Sequence, residues 1–161
     1  MKHQFAICLA AFMIAGCSGR DKNQADNSPK PETLIEEYDE AAMDAAIGTA
    51  RNRVDDFLKI LAENGADSFS VKAAIQDGDE TEHFWIVNVS YAEGVFSGEI
   101  GNDPGIVKNV KAGQAWKVKK DEISDWMYTK GDLIHGGFTI DPLLGSFPKD
   151  KADALRSKLV R

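Results

Sequence analysis

The period of the apolar residues changes near Gly65, and this change limits the possible folds more than any other feature of the sequence. Before Gly65, apolar residues recur at spacings of three and four, which predicts an amphipathic helix over 34–64 with a break near Gly48. The apolar stripe of this helix comprises Met43, Ile47, Val54, Phe57, Leu58 and Leu61. A helix that is followed by a run of alternating residues predicts an α+β domain.

From Ser68 onward, apolar and polar residues alternate, which is the pattern of strands with one buried face. Pro148 then begins a short C-terminal helix. The sequence therefore predicts an N-terminal amphipathic helix packed on a strongly coiled, mainly antiparallel sheet of about five or six strands, with a short helix at the end. The first predicted strand begins at Ser68, and the others cover 83–91, 95–100, 115–119 and 133–140. The stretch 123–128 forms a further element without a clear period.

The first 16 residues have the features of an export signal. Lys2 precedes an apolar run, Phe5–Ala15, whose length of about 11 residues suits a signal peptide and is too short to span a bilayer. The motif Ile14-Ala15-Gly16-Cys17 then resembles the lipobox of bacterial lipoprotein precursors. We expect cleavage between Gly16 and Cys17 and acylation of Cys17, palmitate included. An ordinary secretory signal with an incidental cysteine is the alternative.

The segment 17–33 contains two prolines and no large apolar residue, so we expect a disordered tether between the lipid and a single domain over 34–161. Two or more acyl chains make attachment to a membrane stable. Ser18 follows the cysteine, and in a Gram-negative host the absence of aspartate there favours the outer membrane. The expected location is the periplasmic face of that membrane.

The chain is acidic. Its formal net charge of −7 becomes −8 without residues 1–16, which hold Lys2 and no acidic residue. This charge argues against nucleic acid as a partner, because phosphate neutralisation needs clustered lysine and arginine. Cys17 is the one thiol left after the leader, so we expect no internal disulfide and no zinc site. No motif indicates a cofactor, a metal or an oligomeric state, and the expected partners are the membrane and an envelope protein.

Six short motifs between Glu82 and Thr139 occur in one order that resembles a bacterial domain-of-unknown-function family numbered 2314, the YegJ-like proteins. The resemblance implies an α+β core over 68–140, found in exported or lipid-anchored bacterial proteins among others, and it implies no established activity. The motifs are Glu82-His83-Phe84-Trp85, Phe96-Ser97-Gly98, Asn102-Asp103-Pro104, Val110-Lys111-Ala112-Gly113, Ile123-Ser124-Asp125-Trp126-Met127-Tyr128 and Gly136-Gly137-Phe138-Thr139.

The segment around Trp126 is the strongest candidate for a binding surface, since aromatic side chains with a polar handle dominate binding hot spots. We predict a surface formed by Asp125, Trp126, Tyr128 and His83. The alternative is that Trp126 packs in the core and Asp125 caps a turn or a helix end.

Three functions fit these residues. The first is a non-enzymatic binding or structural module tethered to the membrane, with no catalytic residue. The second is a cell-envelope hydrolase that uses His83 or His135 with a carboxylate, for example together with Ser124 and Asp125. Convergence of these groups in one pocket would favour the hydrolase, and histidines on opposite faces would count against it. The third is an inhibitor or immunity-type protein, which an acidic surface without a pocket would favour.

Overall fold

The computed structural model describes residues 38–161 and, before them, a two-residue strand, β1 (Ala6–Ile7). Apart from that pair, the predicted leader, Cys17 and the predicted tether lie outside the described residues. The described part combines helices with a sheet that is mostly antiparallel. The predicted α+β class is therefore confirmed, whereas the eight strands exceed the predicted number.

Two helices form the N-terminal helical region, where the sequence predicted one. Asp39 caps the first, because its carboxylate accepts a 3.0 Å hydrogen bond from the Ala42 N–H. The helices meet at Arg53, whose φ of −107° and ψ of 10° lie outside the helical region. The helical region is therefore interrupted at Arg53, and not near Gly48 as predicted. The two helices are α1 (Glu40–Asn52) and α2 (Val54–Ala62).

The strands after β1 are β2 (Ser68–Asp77), β3 (Glu80–Ala92), β4 (Val95–Ile100), β5 (Ala115–Lys119), β6 (Ile123–Lys130), β7 (Leu133–Gly136) and β8 (Leu159–Val160). Their order in the sheet is β5-β4-β3-β2-β6-β7-β8, with β1 beside β3. Neighbouring strands are antiparallel except for the parallel pairs β1–β3 and β7–β8. The long central strands β2 and β3 form a hairpin, which places the middle of the sequence at the middle of the sheet.

Helix α2 packs on one face of the sheet. Its Phe57 is fully buried, with its ring centroid 5.9 Å from that of Phe69 and 5.3 Å from that of Trp126. The Trp126 indole N–H donates a 2.8 Å hydrogen bond to the Ala50 carbonyl, which satisfies the polar atom of a buried ring. This face is the apolar core of the domain. Its buried members on the central strands include Phe69, Val71, Ala73, Ile75, Phe84, Ile86 and Trp126.

The chain turns away from the sheet at Gly136 and Gly137, which have φ of 80° and 66°. A Cβ at Gly136 would lie 2.6 Å from the Trp126 ring, so the close approach also requires glycine. The predicted strand over 133–140 is therefore wrong in its second half, where a 3₁₀ helix, Phe138–Ser146, follows. The helix α3 (Lys149–Arg156) begins directly after Pro148, as predicted.

Candidate functional site

A buried polar cluster lies on the face of the sheet opposite the apolar core. Lys72 of β2 and Asp125 of β6 are opposite each other in the register, and each is at most 1% exposed. The Lys72 ammonium donates to the Thr139 hydroxyl at 3.0 Å, and that hydroxyl donates to the Asp125 carboxylate at 2.7 Å. The ammonium also lies 5.3 Å from the centroid of the Trp85 ring. An opposite charge and an aromatic face compensate the burial of this cation.

The Asp125 carboxylate holds the start of the 3₁₀ helix. It accepts backbone hydrogen bonds from Phe138 at 3.2 Å and Thr139 at 2.8 Å, besides one from Trp126 at 2.8 Å. These N–H groups belong to the first turn, where a helix has no partners of its own for them. Asp125 lies on β6 and caps the 3₁₀ helix that follows β7, and its side chain does not reach the surface.

Burial is the largest cause of the pKa shifts of Lys72 and Asp125, the two charged groups of the cluster. Desolvation lowers the pKa of Lys72 to about 8, although the nearby Asp125 carboxylate acts in the opposite direction. Desolvation likewise raises the pKa of Asp125, against the attraction of Lys72 and the hydrogen bonds from Thr139. Both groups are enclosed, so a substrate has no path to either of them in this conformation.

His83 and Ser124 form the second pair within this cluster. Their Nδ1 and Oγ atoms are 3.0 Å apart, and the Ser124 hydroxyl donates to the Lys72 carbonyl at 3.3 Å. Because a hydroxyl has one proton, Ser124 accepts from His83 and does not donate to it. Desolvation, followed by the positive charges of Lys72 and Arg51, lowers the pKa of His83 to about 3, so the ring is neutral near pH 7.

The two histidines of the predicted hydrolase lie on opposite faces of the sheet. His83 and Trp85 alternate with Phe84 along β3, and they share the face of Lys72. His135 is opposite Tyr128 in the β6–β7 register, on the face that carries Trp126. The candidate hydrolase residues therefore do not converge. Ser124 and His83 are in contact, but the Asp125 oxygens bind backbone groups and Thr139 instead.

A pocket of about 270 Å³ opens on the face of the sheet that carries α2, beside the end of β7. Helix α2 forms one wall, and strands β6, β7 and β8 form the other. The pocket adjoins β8, the last strand in the sheet order. The lining residues are Arg53, Asp56, Lys59, Ile60, Trp126, Tyr128, His135, Gly136, Val160 and Arg161.

Three parallel rings form the sheet side of this pocket. The centroids of Trp126 and Tyr128 are 6.4 Å apart with ring planes 3° from parallel. Those of Tyr128 and His135 are 4.6 Å apart at 6°. Trp126 is 3% exposed, whereas Tyr128 and His135 are half-buried. Of the predicted surface residues, Tyr128 thus reaches the pocket, Trp126 contributes a ring edge from the core, and Asp125 and His83 are buried elsewhere.

Cationic side chains surround the aromatic wall. Arg53 and Arg161 both lie over the Phe138 ring, with 5.4 Å and 5.6 Å from guanidinium carbon to ring centroid. Lys59 of α2 is exposed at the pocket rim. The sequence analysis missed all three, because they are distant in sequence and no local motif joins them. The cluster is notable in a chain whose net charge is −7.

The described residues show neither a metal centre nor a membrane span. No three or more His, Cys, Asp or Glu side chains come together there in a group that could hold a metal ion. No helix within 38–161 has both the length and the apolar character needed to cross a bilayer.

The fold and the pocket define a small α+β domain with an aromatic, cation-rimmed pocket at one end of its sheet. The chain belongs to the family described as "Uncharacterized protein conserved in bacteria (DUF2314)", whose model matches residues 40–159. The predicted resemblance is therefore confirmed, and the match extends to the helices on either side of the predicted core. Belonging to a family does not by itself assign a function.

Two relatives show how the domain is distributed. The chain is 57% identical over 124 residues to "Uncharacterized protein YegJ" of Escherichia coli K12, covering 77% of this chain and 81% of that protein. It is 36% identical over 77 residues to a putative ankyrin repeat protein of Neisseria meningitidis serogroup B, covering 47% of this chain and 30% of that one. No solved structure matches.

Proposed function

We propose that this chain is a lipid-anchored periplasmic protein that acts as a non-enzymatic binding module and holds its partner at the pocket between α2 and β6–β8. The pocket is the observation that carries the proposal. It combines half-buried rings, Tyr128 and His135, with the rim cations Arg53 and Lys59. Aromatic and arginine side chains in a partly enclosed site are the residues on which binding energy concentrates.

The chemistry of the domain favours binding over catalysis. A hydrolase needs a nucleophile and a base that a substrate can reach together. Ser124 and His83 are 3% and 7% exposed, and His135 lies on the other face of the sheet. An inhibitor of the kind first considered would present an acidic surface without a pocket, and the cationic pocket argues against it.

Anchoring would concentrate the module at the membrane. A lipid on Cys17 and a flexible tether of about 16 residues would place the start of the domain at an r.m.s. distance of roughly 20–25 Å from the bilayer. A tethered module binds an envelope partner at a raised effective concentration. The relative named as a putative ankyrin repeat protein matches over less than a third of its length, which fits a module that functions beside other segments.

A photocrosslinking experiment tests the pocket as the partner site. Benzoylphenylalanine placed at Asp56, an exposed position in the pocket lining, keeps Arg53 and Lys59 in place. The same group at Lys117 lies exposed on β5, the opposite edge of the sheet. After irradiation of intact cells, we expect a discrete adduct from the Asp56 position that Tyr128→Ala abolishes, and none from Lys117. Equal adducts from both positions, or none from the pocket position, would refute the pocket as the binding site.

The anchor has its own test. Cys17→Ser removes the thiol that the acyl group requires, so the variant should move from the membrane fraction to the soluble fraction and lose label from radioactive palmitate. Ser18→Ala serves as the matched control and should remain in the membrane fraction. Unchanged membrane retention of Cys17→Ser would refute lipidation without affecting the pocket.

A further inference from the structure

The three cations of the pocket differ in how far they are already occupied. Arg161 is fixed, since Asp141 accepts from its Nε at 2.9 Å and its Nη2 at 2.6 Å, and Gly136 accepts from its Nη1. Arg53 makes a longer 3.4 Å contact with Asp56, and both of these side chains are about half exposed. Exposed contacts of this kind contribute little free energy and exchange readily.

Lys59 is the most available of the three cations. It takes no part in the ion pairs found within residues 38–161. With Arg53 it forms a rim of two accessible positive charges, against one lining carboxylate, Asp56. An incoming carboxylate would find charge-assisted donors here at little cost in broken contacts. The charge of the site thus selects an acidic ligand.

An apolar strip continues from the pocket along β7. Leu133 precedes His135 by two residues on this strand, so the two side chains lie on the same face. Leu133 is 43% exposed and is the one large apolar side chain classed as exposed in the described part of the chain. Tyr128, His135 and Leu133 therefore present apolar area next to the two accessible cations.

The size of the pocket restricts the ligand further. At about 270 Å³ it is near the lower limit for ligand pockets, which begin at roughly 300 Å³. Such a volume holds one or two side chains, and the apolar strip outside it needs a ligand that extends along β7. An extended polypeptide meets both conditions, because its alternate side chains are spaced at the pitch of a strand.

Resting on the proposed binding function, we infer that the pocket binds an extended acidic peptide segment of a protein partner. An aspartate or glutamate carboxylate lies between Arg53 and Lys59, and a neighbouring apolar side chain packs on Tyr128, His135 and Leu133. Recognition then depends on a charge and an apolar contact together, and neither is sufficient alone.

The test uses three labelled peptides and the full chain purified from cells that express it. One peptide alternates glutamate with leucine, the second replaces each glutamate by glutamine, and the third replaces each leucine by serine. We expect saturable binding of the first in fluorescence anisotropy, and about tenfold weaker binding of the second and the third. Added salt should weaken binding of the first peptide, because the rim charges are exposed.

Variants of exposed residues locate the contact without affecting the fold. Lys59→Gln should weaken binding of the glutamate–leucine peptide about three- to tenfold, and Leu133→Ser about threefold. Lys117→Gln on the opposite edge should leave it unchanged.

Four results would overturn the inference: equal binding of the glutamine peptide, no saturable binding of any peptide, equal effects of Lys59→Gln and Lys117→Gln, or complete competition by inorganic phosphate. A dimer in sedimentation that Lys59→Gln dissociates would also overturn it, in favour of a second copy of the chain as the occupant. If one of these results occurs while the photocrosslink at Asp56 persists, the binding function stands and only the acidic-peptide assignment falls. Loss of both refutes the two together.

Discussion

The buried polar cluster on one face of the sheet and the pocket on the other contain similar types of residue, but they differ in exposure to solvent. Each combines a histidine, a tryptophan and at least one cation, with Lys72, Trp85 and His83 on one face and Lys59 among the pocket residues on the other. On the enclosed face the polar groups satisfy one another, and their arrangement fixes the 3₁₀ helix. The other face carries α2 and the apolar core, and the pocket at its edge leaves Arg53 and Lys59 exposed and the rings of Tyr128 and His135 half-buried. Residue type alone therefore does not identify a site, because partners and access decide the role.

The largest effect that we predict is on the enclosed face, for Asp125→Ala. This change leaves the Lys72 ammonium buried without its carboxylate and removes the acceptor for three backbone N–H groups. We expect the free energy of unfolding to fall by about 3–5 kcal/mol in urea denaturation. Asp56→Ala at the pocket rim is the matched control and should change it by no more than about 0.5 kcal/mol. Similar values for the two variants would contradict the assigned difference between the faces.

The pH dependence of stability should report on His83. Its pKa in the fold is lowered to about 3, below the usual 6.5, so the unfolded chain binds more protons between these values. The contribution of neutral His83 to the free energy of unfolding is therefore fully present above pH 6.5 and is lost as the pH falls toward 3. We expect a contribution of about 3 kcal/mol to the loss between pH 7 and pH 4.

The variant His83→Gln isolates that contribution, because glutamine keeps a donor for Ser124 and does not titrate in this range. Its unfolding free energy should vary less steeply with pH between 7 and 4 than that of the unaltered chain. His135→Gln, at the pocket, is the control. Parallel pH profiles for His83→Gln and the unaltered chain would show that His83 is not buried in the neutral form.

An intermediate effect is expected at Gly136, where the sheet meets the pocket. Gly136→Ala has to adopt a φ of 80° and place its Cβ 2.6 Å from the Trp126 ring, so we expect a loss of about 2–4 kcal/mol. Gly78→Ala has a similar φ of 61° with no atom within 4 Å of its Cβ, and should cost about 1 kcal/mol. Equal losses in thermal or urea denaturation would mean that the contact with Trp126 contributes nothing.

The smallest effect on stability is expected for the rim of the pocket. Lys59→Gln alters an exposed side chain and should change the free energy of unfolding by less than about 0.5 kcal/mol. The same variant should lose the photocrosslinked adduct formed from benzoylphenylalanine at Leu133. A large loss of stability here, or an undiminished adduct, would assign Lys59 a structural role instead of a binding role.

Strands with clear alternation could be predicted from the sequence. The bounds of β4 and β5 are those that the pattern gave, because polar residues on one side and apolar ones on the other define a half-buried strand. The end of β7 could not be predicted in this way. The segment after Gly137 bonds to Asp125, which lies 14 residues before Thr139, and that contact depends on the tertiary fold.

The pocket was even less predictable. Tyr128 was a candidate from its neighbourhood in the sequence. The cations come from distant positions, with Arg53 between α1 and α2, Lys59 within α2 and Arg161 directly after β8. The strand β8 that brings Arg161 to the pocket has two residues, so its existence depends on pairing with β7 and not on a pattern. Conversely, Asp125 and His83 resembled surface residues in the sequence because nothing local indicates a buried acid or a neutral buried histidine.

Modification of His83 and His135 by diethyl pyrocarbonate, followed by mass spectrometry of the peptide that contains each, tests the central claim most directly. The claim is that the pocket at the edge of the α2 face holds a partner, while the buried polar cluster on the opposite face supports the fold. His135 should react in the purified protein and be protected in intact envelopes, whereas His83, at 7% exposed, should remain unreactive in both. Equal reaction of His135 in the two preparations would contradict the account, because the pocket would then be unoccupied where its partner should be.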